Sequence, residues 1–97
     1  MVFADIDYEG TCEAKHGEIS ALLNSRFDHV QAGLQSDSWI WVRFGEDNVA
    51  VDTFTAMTHQ VKSARPGKHV DDVIAVLKEK FTVVVYEEPV WEAHEVR

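Results

Sequence analysis

Cys12 and His16 stand four residues apart, a spacing that on a helix sets a thiol and an imidazole side by side on one face. Such a pair could begin a metal site or supply an activated nucleophile. Zinc needs three or four converging ligands, and His29, His59, His69 and His94 fall singly in different expected elements. An acidic helix is also a poor setting for the thiolate that the nucleophile reading requires. The paired acids Glu46/Asp47, Asp71/Asp72 and Glu87/Glu88 are sequence neighbours in expected turns and at a helix start, where they do not converge on one substrate. Phosphate-cradling glycine motifs and the G-x-S-x-G elbow are absent. The sequence therefore assigns no catalytic residue, no metal ligand and no cofactor, and fixes no chemistry.

Two other groupings stand out. Residues 53–70 hold no acid but carry His59, Lys62, Arg65, Lys68 and His69. Within them Arg65 and Lys68, at a Pro-Gly turn ahead of a helix, form a candidate anion site. The alternative is an ordinary turn whose helix end Asp71 and Asp72 already complement. The second grouping is aromatic. Trp39, Trp41 and Phe54, rimmed by Arg43 and Asp52, alternate with apolar residues that belong in a core. They form the candidate partner-binding patch, unless the helices or a segment around Trp91 cover it as ordinary core.

The elements that position this patch follow from periodicity. Val2, Ala4, Ile6 and Tyr8 alternate with Asp5 and Asp7 as in a half-buried strand. Ile19, Leu22, Leu23 and Phe27 repeat as a helix face, with Thr11 or a near neighbour as its cap. Residues 29–34, 38–44 and 49–54 form a meander. A three-residue loop pairs Val30 with Val42 and Ala32 with Ile40. The turn around Gly45 pairs Phe44 with Val49, Val42 with Val51 and Ile40 with Thr53, leaving Arg43 and Asp52 as diagonal neighbours. Near Thr55 the chain either bends or starts a further strand. Val70, Val73, Ile74, Leu77 and Phe81 form a second helix face, and residues 82–86 a buried closing strand. The expectation is a two-layer α+β domain over residues 1–97, order β-α-β-β-β(-β)-α-β. Its mainly antiparallel sheet of about five strands carries two helices on one face.

Composition narrows the function. Ninety-seven residues allow one domain, and valine outnumbers leucine fourteen to four, which favours sheet. The formal net charge of −8 repels phosphate backbones and acidic bilayers, so neither nucleic acid nor membrane is the expected partner. Apolar runs stop at about four residues, far short of the ~20 that span a bilayer. One cysteine suits a reducing, cytoplasmic setting, and the acidic first ten residues carry no export signal. The expected function is a non-enzymatic interaction module that self-associates or holds a protein partner through the aromatic face. The alternative is a small-molecule binder or enzyme with a pocket between helix and sheet, using His59 or His29.

Overall fold

Among the described residues, alternating valines and a few well-placed helix signals produce eight elements. They are β1 (Val2–Asp7), α1 (Cys12–Arg26), β2 (Val30–Leu34), β3 (Ser38–Phe44), β4 (Asp47–Asp52), β5 (Gln60–Ser63), α2 (Lys68–Leu77) and β6 (Thr82–Val90). The computed structural model describes residues 1–54 and 56–92, so Thr55 and His94 lie outside the described residues. Thr11 caps α1, its side-chain oxygen accepting the Ala14 N–H at 3.2 Å and satisfying one donor that a helix start leaves unpaired. α1 buries Ile19, Leu22 and Leu23. α2 buries Val70, Val73, Ile74 and Leu77, the i, i+3, i+4, i+7 stripe of an amphipathic helix.

The six strands form one sheet in the order β2-β3-β4-β5-β1-β6, every pairing antiparallel. α1 lies against β2 and β3, α2 against β4, β5 and β6, and the helices pack on each other. Between helices and sheet lie Ile6, Ile40, Val42, Val49, Val51 and Val61, all fully buried. This is an α+β fold in the expected element order, and the optional middle strand is formed as β5. Among the described residues no helix is long and apolar enough to cross a membrane.

The pairing of β2 with β3 is as expected, Val30 opposite Val42 and Ala32 opposite Ile40. That of β3 with β4 is shifted by two residues: Val42 faces Val49, Ile40 faces Val51 and Phe44 faces Asp47. The cause is Gly45. Its φ of +64° suits the first central position of a two-residue hairpin turn whose glycine supplies the positive φ, so the turn is Gly45-Glu46. A shift of two keeps every side chain on its expected face. It does separate Arg43, now opposite Asn48, from Asp52, opposite Trp39, so these two are not diagonal neighbours.

The closing strand also departs from expectation. β6 is an edge strand paired only with β1, and Val84 and Val85 are about half exposed, at 51% and 47%. A run of valines reads equally as a doubly covered central strand, and only topology decides that β6 comes last in the sheet. β1 and β6 lose register between Val2 and Ala4. Ala4 faces Val85 whereas Val2 faces Val90, so β6 carries three more residues than its partner across this bulge.

Candidate functional site

Both helices lie on one side of the sheet, so no described helix covers the other side, and it is there that the aromatic residues gather. Ile40 and Val42 point to the core at 0% exposure, so strand alternation sends Trp39, Trp41 and Arg43 to the open side. The two indoles pack together with ring centres 4.7 Å apart. Trp39 is half-buried because its ring lies over Gly33, directly opposite on β2. A Cβ on Gly33 would come within 2.5 Å of that ring, so the glycine makes the seat. Trp41 stays 36% exposed and Phe54 51%. Arg43 lies at the rim, where with His29 and Gln31 it lines a hollow of about 480 Å³. The sequence-predicted aromatic residues thus share one face, with Arg43 beside them.

Asp52 lies at the floor of this face and is bound differently from expectation. Its Oδ1 sits 2.6 Å from Lys62 Nζ and accepts the Phe54 N–H at 3.3 Å. Lys62 Nζ also meets Glu92 Oε2 at 2.9 Å, and the Lys62, Asp52 and Glu92 side chains are 7%, 5% and 9% exposed. Burial alone would depress the Lys62 ammonium, but hydrogen bonds and the charges of Asp52 and Glu92 outweigh it and hold the group above its usual range. The cluster floors a groove of about 600 Å³ that Met1, Asn48, Phe54 and Trp91 help to line. In its wall Asn48 Oδ1 is buried without a hydrogen-bond partner among the described residues. At the β1–β6 side Asp5 accepts from Tyr86 at 2.7 Å and Gln60 at 2.9 Å. Burial and the Asp5 carboxylate push the Tyr86 phenol up to about 12.

Arg65 and Lys68 each meet a carboxylate. Arg65 binds Asp47 through Nε at 2.8 Å and through a second nitrogen at 3.2 Å. Lys68 pairs with Asp72 at 2.8 Å, one turn along α2. The Arg65 guanidinium, chiefly by hydrogen bonding, holds the Asp47 carboxyl below its ordinary range.

A polar chain joins α1 to the sheet on the core side. Tyr8 Oη lies 2.7 Å from His59 Nδ1, and His59 Nε2 lies 2.7 Å from Ser38 Oγ. Ser38 Oγ in turn lies 2.6 Å from His16 Nδ1. Ser38 and His59 are fully buried. Burial, with His16 nearby, lowers the His59 pKa from 6.5 to about 4, so the ring is neutral at pH 7. A neutral imidazole donates from one nitrogen and accepts at the other. The one Ser38 hydroxyl proton can therefore run toward either histidine, each link of the chain keeping one donor and one acceptor. The Tyr8 hydroxyl also accepts the His59 backbone N–H at 3.2 Å. Among the described residues no three histidine, cysteine or carboxylate groups converge as they would to hold a metal ion.

Sequence reasoning found His59 but not its partners, and found Lys62 only as part of a basic stretch. The available signal was parity. Val61 belongs to the core, so His59 lies on the core side and Lys62 opposite, on the side of Asp52. Comparison of the chain with protein-family models, with curated proteins and with solved structures gave no match to any of them.

Proposed function

We propose that this protein is a non-enzymatic interaction module that associates with a second copy of itself through the open face of its sheet. The observation that carries this reading is the one-sided placement of the helices. It leaves Trp41, Phe54 and Trp91 36%, 51% and 37% exposed on the side away from the helices, where Phe54 and Trp91 line a groove. Contiguous exposed aromatics with a polar rim are the common signature of a contact surface, and tryptophan is enriched where such contacts carry most energy. An isologous pairing covers the same patch twice with one set of residues. The acidity of the chain and its single cysteine favour a reducing, cytoplasmic setting without nucleic-acid or membrane partners. In sedimentation velocity the double variant Trp39→Ser plus Trp41→Ser should shift the protein toward monomer while its far-ultraviolet spectrum is retained. A dimer of unchanged strength in the folded variant contradicts the reading.

A second reading draws on the Tyr8–His59–Ser38–His16 chain, a serine held between two imidazoles, and makes the helix–sheet interface a small-molecule or catalytic site. Ser38 and His59 are fully buried, so this use requires α1 to move away. Turnover of an activated ester that disappears in Ser38→Ala would favour it. Loss of stability alone leaves the chain as a tie between helix and sheet.

A further inference from the structure

Three arginines lie among the described residues, and two of them are held by carboxylates. Arg26 binds both side-chain oxygens of Glu79, and Arg65 binds both of Asp47. Arg43 differs. Its guanidinium has no ion pair and no side-chain hydrogen bond among the described residues, in a chain whose formal net charge is −8. Its neighbours across the ladder are also donors without side-chain partners. His29 lies directly opposite, its carbonyl accepting the Arg43 N–H at 2.9 Å, and Gln31 lies opposite Trp41. Residues opposite each other or two apart on a strand share a face. Arg43, His29 and Gln31 therefore line one hollow of about 480 Å³, within the size range of small-ligand sites.

The chemistry of these groups selects a ligand. A guanidinium presents a planar fork of N–H donors that matches the two oxygens of a carboxylate. The Gln31 amide and a ring N–H of His29 add further donors beside it. Asp28 lines the same hollow and has no ion pair among the described residues. Its charge opposes a doubly charged anion such as sulfate more strongly than a singly charged carboxylate. Trp41, two residues from Arg43 on the same face of β3, is 36% exposed and offers an apolar surface next to the fork.

We propose that the hollow formed by Arg43, His29 and Gln31 binds an organic monocarboxylate, whose apolar part lies against Trp41. The carboxylate takes at Arg43 the place that Glu79 and Asp47 take at the other two arginines. All the groups that this requires belong to one copy, so the inference goes beyond the self-association reading and does not depend on it.

Two probes test this: phenylacetate, a free acid, and N-acetylphenylalanine, which presents the carboxylate as a peptide terminus does. Each is titrated, at matched ionic strength, into ¹⁵N-labelled protein dilute enough to be monomeric. Both should shift the Trp41 indole, the Gln31 side-chain amide and the backbone of residues 29–31 and 41–45, and the tighter of the two identifies the source of the carboxylate. Arg43→Gln should weaken binding about tenfold, the change expected from losing one charge-assisted contact. Arg43→Lys keeps the charge without the fork and should recover only part of that loss. Asp28→Asn should tighten binding and admit sulfate, which should not compete in the wild type. These side chains are exposed, so the variants should keep the wild-type thermal melt. Absence of shifts at these residues, or unchanged affinity in folded Arg43→Gln, overturns the site. Sulfate that binds the wild type as tightly as phenylacetate overturns the ligand class. None of these results bears on open-face association, which stands or falls on the sedimentation of the tryptophan variant.

Discussion

At the level of single residues, His59 is a titratable group held away from water. It is fully buried, and burial lowers its pKa from 6.5 to about 4. Above pH 6.5 it is neutral in the folded and unfolded chain alike, and its contribution to stability is fully present. As pH falls from 6.5 toward 4 the unfolded chain takes up a proton that the folded chain refuses, and stability is lost. The loss levels off below about 4, at about 3 kcal/mol in all. Urea denaturation across this range should show that fall, and His59→Gln, less stable at pH 7, should lack this part of the slope. Equal slopes in the two proteins would contradict the burial of a neutral ring. The inward direction of His59 follows from its spacing from Val61. Its partners Tyr8 and Ser38, and His16 beyond Ser38, do not follow from any local pattern, because they lie 51, 21 and 43 residues away and are brought together by the sheet and by α1 packed on it.

At the scale of elements, strand parity explains most of what was legible. Any even-residue turn between β3 and β4 puts Ile40 and Val42 on one side and Trp39 and Trp41 on the other, so the faces were readable before the register was. The register itself depends on one backbone angle, the positive φ of Gly45, which the hydrophobic pattern does not encode. β6 is less buried than expected for a related reason: a valine run specifies burial only when something covers it, and among the described residues no strand pairs with its outer edge. The two-faced sheet also sets the effects of mutation. Ile40→Ala should destabilise by about 2 to 5 kcal/mol, the range for opening a cavity at a fully buried site. Trp41→Ser should lose only about 1 kcal/mol, the scale of an aromatic pair on a partly exposed face. Thermal and urea melts of the two variants at one concentration, low enough to hold the monomer, would give the contrast. Comparable losses would mean that the tryptophans belong to the core.

The whole molecule is a sheet with one dry face and one open aromatic face, carried on a chain of formal net charge −8. Like charge opposes the meeting of two copies and is screened by salt, so self-association should strengthen as ionic strength rises. The central claim is that the contact surface is the open face and no other part of the molecule. A dilution series followed by two-dimensional ¹H–¹⁵N NMR at moderate salt tests it directly, because the three indole N–H signals and the backbone of both helices are reported in one spectrum. The account predicts concentration-dependent shifts at the Trp39, Trp41 and Trp91 indoles and along β3, β4 and β5, with the outer faces of α1 and α2 unchanged. Shifts centred on the helices, or indole signals that do not respond while the molecule associates, would contradict it.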